Sequence, residues 1–200
     1  MTSDELQCCF IHIPKTAGTS IGKLLLDDLT AYDNKCHLTL RSYLRHSNYY
    51  KFTFIRNPWS RMVSYYHEKQ LHPAKGKRGC LYSIPFEEYI HILARTPGTE
   101  DQWEDIKKKD VNIWNQAQGY LTHWIPKDLI SHLDFIGRVE SIENDWKKIS
   151  QHLNIKRPLI WARKSMASEG KSYSDYYSAE TRDIIYDIYK EDITHFNYDF

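Results

Sequence analysis

A lysine, a glycine and three hydroxyl side chains stand together in the segment Lys15–Ser20, which reads Lys-Thr-Ala-Gly-Thr-Ser. The apolar run Cys8–Ile13 before it is short enough for a buried strand, and Ile21, Leu24 and Leu25 after it recur at helical spacing. A strand, a tight turn and a helix in that order direct backbone N–H groups and the positive end of a helix dipole to one place, where phosphate binds. We therefore predict an anion site in this turn.

The predicted site is the whole segment: Lys15, Thr16, Ala17, Gly18, Thr19 and Ser20. Lys15 supplies a mobile positive charge, the hydroxyl groups supply hydrogen-bond donors, and Gly18 lets the backbone approach a ligand closely. The segment departs from the pattern G-x-x-x-x-G-K-[ST], because it has one glycine and its lysine precedes the turn. An ordinary ATP or GTP loop is therefore disfavoured. A plain strand-to-helix turn with a solvated lysine is the alternative at this point.

A second cation follows another apolar run. Lys51–Ile55 predicts a buried strand that leads directly into Arg56. Asn57-Pro58 predicts the start of a helix, because asparagine is a good N-cap and proline is favoured at the first helical position. Arg61 and Ser64 are three residues apart and share one face of that helix. Arg56 and Ser64 form the second predicted anion site.

The apolar runs are separated by helical stretches, a pattern that favours a parallel sheet with helices on both faces. The third run is Leu133–Glu140. Helices are predicted from Ser20 to about Asp33-Asn34, over Leu40–Leu44, over Pro85–Leu93, near Trp114–Trp124, over Asp145–Leu153, and from the N-cap Ser178 to Asn197. The predicted fold class is α/β, a P-loop-like three-layer sandwich with a central parallel sheet flanked by helices.

Both predicted anion sites lie at the carboxyl ends of strands, which is where such sheets bind their ligands. This coincidence favours phosphate binding over the plain turn. Two separate sites also imply a ligand that carries phosphates at two places rather than one polyphosphate tail.

Size and composition limit the class of protein. The 200 residues fit a single domain, residues 1–200, and the hydrophobic (41%) and charged (26%) fractions are those of a soluble globular chain. A net charge of +1 argues against a broadly basic surface, so no nucleic-acid partner is predicted. We find no apolar run long enough for a membrane span and no signal peptide at the start, and so expect a cytoplasmic chain.

Cysteine and histidine spacing predicts neither a disulfide framework nor a metal site. Cys8 and Cys9 are adjacent in a predicted strand, so they face opposite sides and are expected to be buried small hydrophobes. The four cysteines show no C-x-x-C spacing, and the ten histidines show no two-plus-two ligand spacing.

The two anion motifs, in this order, resemble those of a known family. Ile13–Ser20 resembles the 5′-phosphosulfate loop of the sulfotransferases that depend on 3′-phosphoadenosine 5′-phosphosulfate (PAPS). Phe54–Tyr66 resembles their 3′-phosphate motif, R-N-P-x-x-R-x-x-S-x-Y. Asp134–Glu140 and the closing segment Tyr176–Tyr198 are similar to segments of the carbohydrate-type branch (family 2), to which the heparan 2-O-sulfotransferases belong.

The resemblance implies PAPS as the cofactor and in-line transfer of its sulfuryl group to a hydroxyl of a carbohydrate or glycolipid-like acceptor. Adenosine 3′,5′-bisphosphate would be the product. Lys15 through Ser20 would hold the 5′-phosphosulfate, and Lys15 would also neutralise charge on the leaving phosphate oxygen. Arg56 and Ser64 would bind the 3′-phosphate, for which the arginine fork is suited. Arg61 fits the motif as well, either bracing its helix or pairing with an acid.

Transfer also needs a base for the proton of the acceptor hydroxyl, ideally with a pKa near neutrality. His37 is our candidate, since it lies between the two phosphate motifs, as the catalytic histidine does in the heparan 2-O-sulfotransferases. His12, in the strand before the loop, is the competing histidine. A glutamate such as Glu68, Glu87 or Glu88 is the acidic alternative.

Two other functions stay open. A small nucleotide kinase is weakened by the missing Gly-Lys-Ser/Thr order and by the lack of an obvious Mg²⁺-binding aspartate after a strand. A non-catalytic nucleotide- or glycan-binding module on the same fold is the third reading. Lys15, Arg56 and Ser64 argue against a loss of cofactor binding, but they say little about the base.

Overall fold

The computed structural model describes residues 1–25, 38–71, 85–95, 120–159 and 171–200. Contacts between Cα atoms divide the chain into two compact units. The first unit is Met1–Arg56 with Tyr120–Lys164, and the second is Asn57–Gly119 with Ser165–Phe200. The single domain predicted for residues 1–200 stays a prediction.

The first unit contains a mixed, mostly parallel sheet. Its strands are β1 (Thr2–Ser3), β2 (Cys8–Ile11), β3 (Tyr50–Ile55) and β4 (Phe135–Arg138), in the order β1-β2-β3-β4. Strands β2, β3 and β4 run parallel, while β1 pairs antiparallel with β2. The α/β class is therefore confirmed. The central sheet is mostly parallel, and β1 is an addition that the sequence did not predict, because a two-residue strand carries no periodic signal.

The described helices follow the predicted positions closely. They are α1 (Gly18–Leu25), α2 (Pro58–Leu71), α3 (Phe86–Arg95), α4 (Leu121–Trp124), α5 (Ile142–His152) and α6 (Ala179–Phe196). Short 3₁₀ helices cover Leu40–Tyr43, Lys127–His132, Val139–Ser141 and Tyr173–Tyr176. The predicted end of the first helix near Asp33-Asn34 lies outside the described residues, as does most of the stretch before Trp124.

Both faces of β2 and β3 are buried, as expected for strands within a parallel sheet. On one face, Phe10, Phe52 and Phe54 form a core with α1 and α5, which contribute Ile21 and Trp146 among others. Cys8 and Cys9 are buried and free of disulfides, as predicted. Burial raises the pKa of the Cys8 thiol to about 12, so this thiol stays protonated and unreactive.

The second unit has a separate core made by α2, α3 and α6. Its members are Trp59, Met62, Val63, Tyr65, Tyr66, Phe86, Tyr89, Ile90, Leu93, Ile185, Tyr189 and Ile193. In α3 the buried residues recur at the spacing of one helix face. Helix α6 begins where Ser178 accepts a hydrogen bond from the Thr181 N–H and ends at Asn197, whose φ of 51° is left-handed. Both ends are as predicted.

Candidate functional site

The turn after β2 adopts a strained backbone. Lys15 has a φ of 69° and Ala17 a φ of 65°, both in the left-handed region that non-glycine residues rarely enter. Each such residue costs about 1 kcal/mol or more, and this strain clusters at ligand sites. Ala17 is followed directly by the helical Gly18, and such an alternation of handedness aims successive N–H groups into an anion-binding concavity.

Side chains in this turn alternate between buried and partly exposed. Lys15, Ala17 and Thr19 are partly exposed, whereas Thr16, Gly18 and Ser20 are buried. The buried Thr16 hydroxyl donates a hydrogen bond of 2.8 Å to the Ile13 carbonyl, which closes the turn. The first turn of α1 is joined to the loop by the Ser20 N–H, which donates to the Ala17 carbonyl at 2.9 Å.

His12 fixes the identity of Gly18. The His12 imidazole is buried, with 5% of its surface exposed, and it stacks on Phe10 at a ring distance of 5.7 Å. A Cβ atom on Gly18 would lie 1.7 Å from His12 Nε2, closer than any real contact. Only glycine therefore fits above this ring. His12 packs under the start of α1, in keeping with a core histidine.

Arg56 follows the last residue of β3 and reaches the turn after β2. Its guanidinium Nη1 donates a long hydrogen bond of 3.4 Å to the Lys15 carbonyl. Since β2 and β3 are parallel neighbours, with Ile11 paired to Thr53, their carboxyl ends lie side by side. The structure thus brings Lys15–Ser20 and Arg56 together at the edge of the sheet where the sequence predicted them.

Helix α2, in the second unit, begins as its sequence indicates. The Asn57 side chain accepts a hydrogen bond of 3.1 Å from the Ser60 N–H, and its amide donates to the Asp199 carbonyl at 2.8 Å. Ser64 lies two turns along the helix and is 7% exposed. Among the described residues, no hydrogen bond engages the Ser64 hydroxyl, which leaves it available to a ligand.

Arg61, the other cation of the second motif, lies inside the second unit with 3% of its surface exposed. Burial lowers the pKa of its guanidinium, and the negative charge of Asp192 opposes that decrease. Of the two roles the sequence left open for Arg61, pairing with an acid agrees with this environment.

Only some of the candidates for the catalytic base lie among the described residues. His37 lies outside the described residues, and so does the side chain of Glu68. Glu87 and Glu88 are exposed in the first turn of α3, where the positive end of the helix dipole stabilises carboxylates. The catalytic role of His37 stays a prediction.

Sequence reasoning missed one polar pair in the second unit. His67 of α2 lies 2.9 Å from the Tyr176 hydroxyl, with the two rings edge to face. Burial lowers the pKa of His67, so the ring is held neutral. No local sequence pattern predicts this pair, because its members are more than a hundred residues apart.

The described residues contain neither a metal-binding cluster nor a membrane-spanning helix. No group of three or more histidine, cysteine, aspartate or glutamate side chains there is arranged to hold a metal ion. No helix in those ranges combines the length and the apolar character that crossing a membrane requires.

Comparisons with known proteins agree with the motifs. A family model described as "Sulfotransferase family" matches residues 1–199. Carbohydrate sulfotransferase 11 of Mus musculus is 22% identical over 241 aligned residues, covering 99% of this chain and 66% of the mouse protein. Carbohydrate sulfotransferase 9 of Homo sapiens is 24% identical over 188 residues, covering 78% of this chain and 39% of the human protein. This chain spans less than two thirds of the length of either relative, and no solved structure matches it.

Proposed function

Because this chain belongs to the sulfotransferase family, we propose that it transfers the sulfuryl group of PAPS to a hydroxyl of a carbohydrate or glycolipid-like acceptor. The names of its relatives, which are carbohydrate sulfotransferases, support a carbohydrate acceptor. The match over residues 1–199 also supports one sulfotransferase domain over residues 1–200.

One observation carries this proposal. The hydrogen bond from Arg56 Nη1 to the Lys15 carbonyl joins the cation after β3 to the turn after β2. A donor with phosphate groups at its 5′ and 3′ positions requires two cationic sites that a single nucleotide can span. A lysine and an arginine at neighbouring strand ends meet that requirement.

The residues of the first turn fit a phosphate-bearing donor. Left-handed residues such as Lys15 and Ala17 are typical of turns whose backbone N–H groups bind anions, and Lys15 is partly exposed. We assign Thr16 to this site through its backbone N–H, since its hydroxyl already donates to Ile13. Ala17 and Gly18 likewise act through the backbone, and Thr19 and Ser20 add hydroxyl groups. Arg56 and the Ser64 hydroxyl are assigned to the 3′-phosphate.

The donor supplies an activated sulfuryl group attached to a phosphate leaving group. In the proposed reaction the acceptor oxygen forms a bond to sulfur while the bond from sulfur to the phosphate oxygen breaks, which releases adenosine 3′,5′-bisphosphate. Lys15 neutralises the charge that grows on that phosphate oxygen. His37 accepts the proton of the acceptor hydroxyl. The remaining residues hold the two reactants in line.

Calorimetric titration tests the donor class first. Adenosine 3′,5′-bisphosphate and ATP with magnesium are titrated into the wild type, Arg56→Ala and Arg45→Ala. Arg45 is an exposed arginine before the start of β3, so it serves as the matched control. We expect the bisphosphate to bind the wild type and Arg45→Ala, and its affinity to fall about tenfold or more in Arg56→Ala.

Transfer of labelled sulfate from PAPS to a panel of carbohydrates and glycolipids tests the reaction itself, with His37→Ala beside the wild type. We expect His37→Ala to bind the bisphosphate normally and to lose transfer. Binding of ATP without the bisphosphate would replace the proposal with a nucleotide kinase. Donor binding with no transfer to any acceptor would favour a non-catalytic nucleotide- or glycan-binding module.

A further inference from the structure

Arg61 is a charged side chain buried in an otherwise largely apolar core. It lies on α2 among Trp59, Met62 and Val63, and only 3% of its surface is exposed. Arginine remains protonated in proteins, so its charge cannot be removed to ease burial. A buried charge is tolerated only where an opposite charge and hydrogen bonds compensate for the lost water.

The compensating charge comes from the helix that packs on α2. Helix α6 contacts α2 along the core of the second unit, and it carries Asp192, which has no exposed surface. The charge of Asp192 opposes the decrease that burial causes in the pKa of Arg61. Two helices that pack on each other therefore bury opposite charges, a guanidinium on α2 and a carboxylate on α6.

The backbone of α6 is irregular close to Asp192. Tyr189 departs from helical geometry, with a φ of −109° and a ψ of 20°, so that α6 is kinked there. Asp192 lies three residues later, within one turn of the kink. The kink thus marks the part of α6 that carries the buried carboxylate.

Apolar packing alone would not define the position of α2 against α6. Hydrophobic burial is non-directional, so it stabilises any close-packed arrangement of the two helices. The apolar side chains concerned are Met62 and Val63 of α2 with Ile185 and Ile193 of α6. The planar fork of an arginine is directional, since it binds a carboxylate in a fixed plane. A shift of α2 by a fraction of a turn therefore breaks the charge pair before it exposes much apolar surface.

The position of α2 matters because Ser64 is three residues after Arg61 on the same helix. We propose that the buried Arg61–Asp192 pair is a positioning device, which holds α2 where the Ser64 hydroxyl receives the 3′-phosphate of the donor. Neither Arg61 nor Asp192 touches the ligand in this account, and both act through Ser64. The inference rests on the proposed function, because it requires a ligand that carries a 3′-phosphate.

The test separates helix position from stability. Adenosine 3′,5′-bisphosphate and AMP, which lacks the 3′-phosphate, are titrated into the wild type, Asp192→Asn and the double variant Arg61→Met/Asp192→Leu. Replacing a buried ion pair with apolar side chains of similar size often leaves stability unchanged or raises it. Asp192→Asn keeps the side-chain volume and is the second variant should the double variant fail to fold. Thermal unfolding is followed for every protein.

Tyr89→Phe is the matched control. The Tyr89 hydroxyl is buried in the same core and has no hydrogen-bond partner among the described residues, so its removal changes a polar atom without changing a directional contact. We expect the ratio of the two dissociation constants, AMP over bisphosphate, to be unchanged in Tyr89→Phe. In both charge-pair variants we expect that ratio to fall about tenfold, as for one lost charge-assisted hydrogen bond.

The outcomes are distinct. A double variant that unfolds at the wild-type temperature and has lost the preference for the 3′-phosphate supports positioning, since a purely stabilising role would leave the ratio unchanged. A folded charge-pair variant with the wild-type ratio overturns the inference and leaves the proposed function intact. A wild-type protein with no preference for the bisphosphate over AMP contradicts the proposed function itself.

Discussion

The two strand-to-helix turns of this chain both place a cation after a strand, but different interactions define their shapes. The turn after β2 is shaped by its backbone, with Lys15 and Ala17 left-handed and Gly18 pressed against the His12 ring. The turn after β3 is shaped by side chains, with Asn57 capping α2 and Arg61 buried one turn later. A backbone-defined turn is held by what surrounds it, whereas a capped turn is specified locally. Substitutions should therefore act differently in the two turns.

The largest effect is expected at Lys15. In Lys15→Ala the ammonium that neutralises the leaving phosphate oxygen is gone, and we expect kcat to fall by about 10²–10³ with the unfolding temperature unchanged. Sulfuryl transfer measured with the acceptor found in the panel checks this, with Lys15→Arg as the charge-conserving control. A variant that keeps wild-type turnover would remove Lys15 from the chemistry and leave the first turn a binding element.

The next effect concerns the glycine above the histidine. In Gly18→Ala the new methyl group meets the His12 ring, and we expect a loss of about 1–3 kcal/mol in the free energy of unfolding. Denaturant titration measures this loss. Gly18→Ala/His12→Ala should recover part of it, because the double variant removes the obstructing ring. Additive losses in the double variant would mean that His12 does not dictate the glycine.

Removing the cap of the second turn should cost less. In Asn57→Ala both the acceptor for the Ser60 N–H and the donor to the Asp199 carbonyl are lost, and we expect destabilisation by about 1–2 kcal/mol. Asn57→Ser retains a capping oxygen but lacks the amide donor. Its free energy of unfolding should therefore lie between those of the wild type and Asn57→Ala. The comparison of the turns fails if Asn57→Ala destabilises more than Gly18→Ala in the same denaturant assay.

Strain in the first turn can be relieved without touching a charge. Ala17→Gly removes a Cβ atom from a left-handed residue, and we expect a stability gain of up to about 1 kcal/mol. Calorimetric unfolding temperatures of Ala17→Gly and the wild type provide the check. A lower unfolding temperature in the variant would show that the left-handed backbone stores no strain.

The smallest expected effect is the pH dependence of stability that His67 of α2 causes. Burial lowers the pKa of His67, so the folded ring stays neutral at a pH where the unfolded chain is already protonated. The unfolded state then binds more protons, and stability falls as the pH drops below about 6.5. Unfolding temperatures at about pH 7.5 and about pH 5.5 should differ less in His67→Gln than in the wild type. His132→Gln, at an exposed histidine, should behave as the wild type.

Much of the fold could be predicted because its strands and helices depend on patterns among neighbouring residues. Apolar runs gave β2, β3 and β4 to within a few residues, and helical spacing gave α3, α5 and α6. The cap residues Asn57, Ser178 and Asn197 marked helix ends correctly, since capping depends on neighbouring backbone groups. The two predicted anion motifs follow parallel neighbouring strands, and the apolar runs had located those strands correctly.

By itself, then, the sequence determined the α/β class, the parallel pairing of the main strands, and the candidate residues Lys15–Ser20, Arg56 and Ser64. Only the tertiary structure decided the left-handed Lys15 and Ala17, the His12 ring under Gly18, and the burial of both Arg61 and Asp192. Lysine and alanine have no preference for left-handed backbone, so only surrounding contacts hold them there. Arg61 and Asp192 are far apart in sequence, so only folding could bury both of these opposite charges in the same unit.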